Sequence, residues 1–320
     1  GATSTGTHGT GRAFGGLATR IRAATLVTGT GEVLRVGPGE NEELLPAVAL
    51  GLGALGILVD VTIEWVPAFV LHAVERPEPI ATVLAEWEER IAAADHFEFY
   101  VWPHTDTVLT KTNTRLPGDA PRHPLSSVGR WFDDEFMANG LYRATVNLGR
   151  LAPRTVPPIN RLSVKLTGNR EFTDAAPNVF ITNRTVRFQE MEYALPVERV
   201  PEAIERIRTL IDERGWSISF PIEVRAAAPD DLWMSTAHGR ATGYIAVHRY
   251  YREDPTEYFA AVEAIMREYG GRPHWGKMHT RSADDLRPAY PRFDDFVAVR
   301  DRLDPERLLA NPYLTRVLGA

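Results

Sequence analysis

TVRFQEMEYALP (residues 185–196), PEAIERIRTLIDERG (201–215) and SISFPIEVRAAAP (217–229) follow one another with almost no chain between them, and their reading decides the fold. The outer two have the composition of strands and the middle one that of a helix. A second round follows: TGYIAVHRYY (242–251), PTEYFAAVEAIMREYGG (255–271), then RPHWGKMHT (272–280). Strand and helix alternating in this way, with strands that look antiparallel, predict an α+β domain whose mainly antiparallel sheet is covered by helices. The two rounds have similar layouts without forming a tandem repeat.

Towards the N-terminus, RAATLVTGTGEVLRV (22–36) places two β-rich runs around Gly29 and Gly31 and reads as a hairpin. The apolar run from Leu55 to Trp65 reads as a buried strand, with another near Val70 to Glu75. In PIATVLAEWEERIAAADH (79–96), Ile80, Val83, Leu84, Trp87 and Ile91 recur at helical spacing. FEFYVWP (97–103) and TVLTKTNTRL (107–116) look like paired strands, and LPGDAPRHP (116–124) like a surface connection. Residues 125–152 form an amphipathic, aromatic-bearing helical stretch. Its polar face is not Lys-rich, which favours packing on the protein's own sheet over a membrane surface.

With 320 residues, 44% of them hydrophobic, the chain can bury two cores. A formal charge of −6, with both signs interspersed, argues against a nucleic-acid partner. The lack of cysteine removes disulfides, thiolate nucleophiles and iron–sulfur ligation, and fits a cytoplasmic protein. No signal peptide and no transmembrane segment is visible.

Chemistry concentrates in three late places. Glu223 and Arg225 stand two apart on a strand, so both side chains leave one face, where a guanidinium holds a carboxylate ionised and oriented. The same spacing also describes a structural ion pair. His248 and Tyr250 share a face of the next strand. The turn RPHWGKMHT offers His274, Lys277 and His279 together, but no carboxylate or third histidine lies at ligand spacing, so no metal is expected. A Walker loop, a nucleophile elbow and a GxGxxG opening a βαβ unit are absent from the sequence. At the other end, GATSTGTHGTG (1–11) is bare main chain set with hydroxyls and one imidazole, which suits either a flexible tail or a backbone pressed against an anion or ring.

Five blocks together carry a resemblance: GATSTGTHGTG, GALGILVDVTIEWVP (53–67), PIEVRAAAPDD (221–231), RPHWGKMHT and YPRFDDFVAVRDRLDPERLLANPYLTRVLG (290–319). They resemble the aldonolactone oxidoreductases of the vanillyl-alcohol-oxidase-type FAD family, which include L-gulono-1,4-lactone dehydrogenases and D-arabinono-1,4-lactone oxidases. The resemblance implies an FAD-binding domain, incomplete at its N-terminus, from residues 1–70 and 285–320, with a substrate-binding cap domain over 71–284. It implies roughly a hundred further residues before Gly1, most of a small domain, holding the first FAD subdomain and a His that commonly carries the flavin covalently. Gly1, Thr5, Gly6, Thr7, His8, Ile57 and His274 would contact FAD. Glu223, Arg225 and Lys277 would be catalytic and, with His248 and Tyr250, would hold a sugar lactone or polyol. The activity implied is oxidation of an aldono-1,4-lactone, with oxygen, a dye or a cytochrome as electron acceptor and with peripheral membrane association left open. An alditol oxidase using oxygen and a non-catalytic sugar-binding fragment are the rival readings.

Overall fold

The computed structural model describes residues 1–126, 140, 142–166, 168–181 and 185–320. Three strands form a small antiparallel sheet: β1 (Ile21–Val27), β2 (Val33–Val36) and β3 (Ile57–Ile63), in the order β2-β1-β3. Eight more form a large one: β4 (Phe69–Pro79), β5 (His96–Val101), β6 (Thr107–Pro117), β7 (Arg170–Ala175), β8 (Phe188–Pro196), β9 (Ile222–Ala227), β10 (Thr242–Tyr250) and β11 (Arg272–Pro273). Their order is β11-β8-β10-β9-β5-β6-β4-β7, and every neighbouring pair is antiparallel. The expected α+β architecture is thus what the chain adopts.

The two-residue period of a strand sorts the side chains of the large sheet. Phe97 and Phe99 of β5, Met191 and Tyr193 of β8 and Val224 of β9 pack in one core with Ile204, Ile207 and Ile211 of the helix Val200–Glu213. That core also takes Val262 and Met266 of the helix Thr256–Glu268 and Trp87, whose indole N–H donates to the Val197 carbonyl at 2.9 Å. Each fully buried aromatic or branched side chain there contributes about 2–3 kcal/mol. Glu98, Tyr100, Glu190, Glu192, Glu223, Arg225 and His248 occupy the alternate positions of the same strands and gather on the other face. The helical run over 79–96 divides at Glu86 into Ile80–Ala85 and Trp87–Ala93.

A second core joins the small sheet to residues far away in sequence. Leu26, Val48 and Leu50 pack with Trp275, with Phe293 and Phe296 of the helix Phe293–Leu303, and with Val317 of the helix Pro312–Leu318. The hairpin β1–β2 turns where Gly29 and Gly31 predict it. One expectation fails: β3 is not buried. It pairs with β1 alone, and Ile57 and Val59 are 64% and 63% exposed, because β3 lies at the sheet edge with nothing from the described residues on its outer side. Part of the 125–152 stretch falls outside the described residues. Within it, the helix Tyr142–Leu151 packs inward through Val146 and Gly149. No helix among the described residues is long and apolar enough to cross a membrane.

The opening Gly/Thr segment is held between these two bodies. β5 and β9 pair only from Phe99–Val224 to Val101–Ile222, and Thr10 and Gly11 occupy the split beyond. The Thr10 hydroxyl donates to the Phe97 carbonyl at 2.6 Å and accepts from the Ala226 N–H at 3.3 Å. The Gly11 N–H donates to the Ala226 carbonyl at 2.8 Å. Gly11 has φ +143°, and a Cβ there would lie 2.4 Å from the Asp95 carbonyl oxygen, so no other residue fits. His96 closes the joint: its Nδ1–H donates to the Thr10 carbonyl at 2.5 Å while its Nε2 accepts from Arg115 at 2.9 Å. Burial lowers the His96 pKa and favours this neutral form.

Candidate active site on the polar face of the large sheet

β9 supplies Glu223 and Arg225 to the polar face, and the pair predicted from spacing is formed: Arg225 Nη2 donates to Glu223 Oε1. The guanidinium also reaches the neighbouring strand, Nε donating to Glu98 Oε2 at 3.0 Å. The Tyr100 hydroxyl lies 2.6 Å from Glu223 Oε1 and 3.0 Å from Glu98 Oε1. Burial pushes the Glu98 carboxyl up, yet Arg225 and Lys111 more than offset this and hold it below the usual range. Burial likewise opposes the charge on Arg225, and Glu223 and Glu98 raise its pKa well above normal.

β8 brings Glu190 and Glu192 beside them. Lys277 Nζ pairs with Glu190 Oε2 and lies 4.0 Å from Glu192 Oε2. His248 on β10 donates from Nδ1 to the Pro221 carbonyl at 3.0 Å, which turns Nε2 towards Glu190 Oε1 at 3.5 Å. Burial alone would raise the Glu190 carboxyl, but the His248 contact and Lys277 bring it below its ordinary value. His8 donates from Nδ1 to the Gly9 carbonyl at 2.9 Å, presents Nε2 to Glu192 Oε1 at 3.3 Å and stacks on Tyr244 with ring centroids 3.5 Å apart. His274 accepts the Gly276 N–H on Nδ1 at 3.0 Å, and burial, against the opposing pull of Glu192, lowers its pKa to about 4.

The sequence placed His274 and Lys277 together correctly, but His279 turns away, its Nε2 lying 3.2 Å from the Tyr313 hydroxyl. Tyr250 sits at the end of β10, buried against Val146 and Phe220, and its hydroxyl donates to Asn147. Glu98, Tyr100, Glu190 and Glu192 were not singled out in the sequence, although each pair has the same i, i+2 spacing as Glu223 and Arg225. Spacing along the chain points away from a metal set, but spacing is not proximity. In space, ligand atoms of His8, Glu192 and His274 lie within 4.8 Å of one another, as do those of Glu190, Glu223 and His248.

Beside this cluster, residues 1–9 form a bare loop. The turn Thr3–Thr5 ends on Gly6 at φ +83°, the Leu52 N–H donates to the Ser4 carbonyl, and Thr7 accepts from the Leu17 N–H. A Cβ on Gly9 would meet nothing within 4 Å, whereas one on Gly276 would lie 3.2 Å from Thr5 Oγ1. The loop is therefore anchored behind, pressed by the HWGK turn, and open in front of Gly9. Thr5 hydrogen-bonds back to the Gly1 carbonyl within this loop, and Ile57 stands exposed at the head of β3.

A family model described as D-arabinono-1,4-lactone oxidase matches residues 61–317. An L-gulono-1,4-lactone dehydrogenase of Mycobacterium tuberculosis is 45% identical over 319 residues, covering 100% of this chain and 73% of that protein. An L-gulonolactone oxidase of Scyliorhinus torazame is 33% identical, covering 99% and 72%, and an alditol oxidase of a Streptomyces species is 27% identical, also covering 99% and 72%. Among solved structures, cholesterol oxidase from Brevibacterium sterolicum superposes with a TM-score of 0.79 at 16% identity, covering 99% of this chain and 74% of that one. That likeness shows the fold, of the vanillyl-alcohol-oxidase type.

Proposed function

This chain belongs to the D-arabinono-1,4-lactone oxidase family, and from that premise we propose that it oxidises a secondary alcohol of an aldono-1,4-lactone in an FAD-dependent reaction. The observation that carries the reading is the convergence of Glu190, Glu223 and His248 within 4.8 Å, flanked by Arg225 and Lys277. Such a cluster suits a small, uncharged, hydroxyl-rich ligand, since it offers acceptors and donors side by side.

The residues present fit the flavin. The open space before Gly9, the left-handed Gly6 and the Thr5 contact with the HWGK turn make a wall of bare backbone against which a flat ring can lie. Thr5, Gly6, Thr7, His8 and His274 would hold it, with His8 fixed by the Gly9 carbonyl and Glu192. FAD, when bound, supplies the acceptor for the hydride that leaves the carbinol carbon.

The chain's own residues do the rest. Arg225 and Glu223 hold the lactone oxygens and fix the reacting carbon. His248, its Nδ1 proton committed to the Pro221 carbonyl, takes the hydroxyl proton on Nε2, and the Glu190 carboxylate stabilises the imidazolium formed. Lys277 places a positive charge where negative charge develops. The test is to load the protein with FAD and assay L-gulono-1,4-lactone, D-arabinono-1,4-lactone and a linear alditol, each with oxygen, an artificial dye and cytochrome as acceptor. Lactone oxidation is expected. Oxidation of the alditol alone, or a protein without a flavin absorption band, would overturn the reading.

A further inference from the structure

The hydrogen bonds of the two carboxylates beside Arg225 are distributed unequally. Glu98 takes Arg225 Nε on Oε2 at 3.0 Å, and its Oε1 stands 3.0 Å from the Tyr100 oxygen. Both protein donors to Glu223, by contrast, converge on Oε1. Among the described residues no donor takes Glu223 Oε2, and none of the carboxylates takes Arg225 Nη1. Glu98 also ends a row of alternating charge that runs across the sheet through Arg170, Glu75 and Lys111, each directly opposite the next in the strand register. With Arg225 the row continues to Glu223.

Building on the lactone-oxidising function, we propose that Glu98 and Tyr100 are positioning residues: Glu98 fixes the Arg225 fork and Tyr100 saturates one oxygen of Glu223, so that Arg225 Nη1 and Glu223 Oε2 are the atoms presented to the substrate. The physical reason is rotational. A guanidinium held only by Glu223 on its own strand can turn about its stem, whereas a second carboxylate on β5, bonded through Nε, fixes the plane of the fork. Tyr100 has one proton and two carboxylates in reach. Its shorter contact goes to Glu223, which directs the second lone-pair set of that carboxylate outward. The same logic governs metal sites and catalytic triads, where the residue behind the contacting group fixes its orientation.

The FAD-loaded protein, with L-gulono-1,4-lactone as the probe, distinguishes this from a merely structural ion pair. Glu98→Gln should lower kcat/KM about 10–100-fold, the range of a hydrogen bond to a charged group. Tyr100→Phe, which keeps the ring in place, should raise KM about tenfold with kcat within about threefold. If Glu98 acts through Arg225, Glu98→Gln should cost nothing further, within about twofold, in an Arg225→Met background, because the group it orients is gone. The melting temperature of Tyr100→Phe should stay near that of the parent. A wild-type rate in Glu98→Gln, or an undiminished loss in the Arg225→Met background, would overturn the proposal while leaving the function intact. A parent enzyme that oxidises no lactone would overturn the function and this division with it.

Discussion

Arg225→Met removes one cation from between two buried carboxylates, and the outcome depends on pH in a direction the geometry fixes. Glu223 and Glu98 keep 5% and 13% of their side-chain surface exposed, so neither is well hydrated once the guanidinium is lost. Breaking a buried pair by removing one partner costs about 3–5 kcal/mol. In the parent the Glu98 carboxyl is held below its ordinary value, ionised down to low pH. In the variant burial, the largest contribution, is opposed only by Lys111 and the Tyr100 hydroxyl and raises the carboxyl, so the folded state binds a proton that the unfolded chain has released, and stability falls as pH rises. The deficit should therefore be largest near pH 8 and shrink towards pH 5, by up to about 1.4 kcal/mol per pH unit over the interval in which one carboxyl protonates. Urea denaturation of parent and variant at pH 5, 6.5 and 8, followed by tryptophan fluorescence, measures it. Adding Glu98→Gln should recover more than half of the loss at pH 8. A deficit that is equal at all three pH values, or no deficit, would refute the reasoning.

Lys277→Met should slow lactone turnover about a hundredfold, as removal of one preorganised charge does, and lower the melting temperature, because it takes a cation from the largely buried Glu190; full turnover would remove Lys277 from the chemistry. His274 and His279 are both buried and lowered to about 4, so each is neutral when folded and takes up a proton on unfolding below about 6.5. Stability is then complete above pH 6.5 and should fall as pH drops towards 4, by up to about 3 kcal/mol for each, and urea midpoints across this window check it. His279→Gln should flatten that slope, and a slope unchanged by it would assign the loss elsewhere. Gly11→Ala should destabilise by more than about 3 kcal/mol, since it combines positive φ with a Cβ overlapping the Asp95 carbonyl, and a folded variant of parental stability would contradict the geometry of the split.

The legible parts of this fold were those written locally. Gly29 and Gly31 announce their hairpin, and Glu223 and Arg225 declare a shared face because a strand's period is two. The signal for Glu190 with Glu192, and for Glu98 with Tyr100, was equally present in QEMEY and FEFY: two polar groups at alternate positions of otherwise apolar strands. What gives those pairs meaning is register, which brings Tyr100 opposite Glu223 across 123 positions of chain, and no local pattern encodes it. β3 misled for a related reason. Its apolar run is that of a buried strand, but burial depends on what lies against it: β3 pairs with β1 alone, and only Leu58 and Val61 reach the second core. Glu86 interrupts the 79–96 helix although nothing in its spacing marks the break.

The threonine and glycine wedged between β5 and β9 bear on how ligands come and go. A hydroxyl that bonds main chain on both strands, and a glycine that no bulkier residue can replace, leave no hinge at this junction. The opening segment and the large sheet are tied together there by main-chain and hydroxyl hydrogen bonds, so ligand exchange at the proposed site is expected to proceed without a hinge motion at this junction. Amide protons at Gly11 and Ala226 should accordingly exchange with solvent among the slowest in the chain, with or without lactone present.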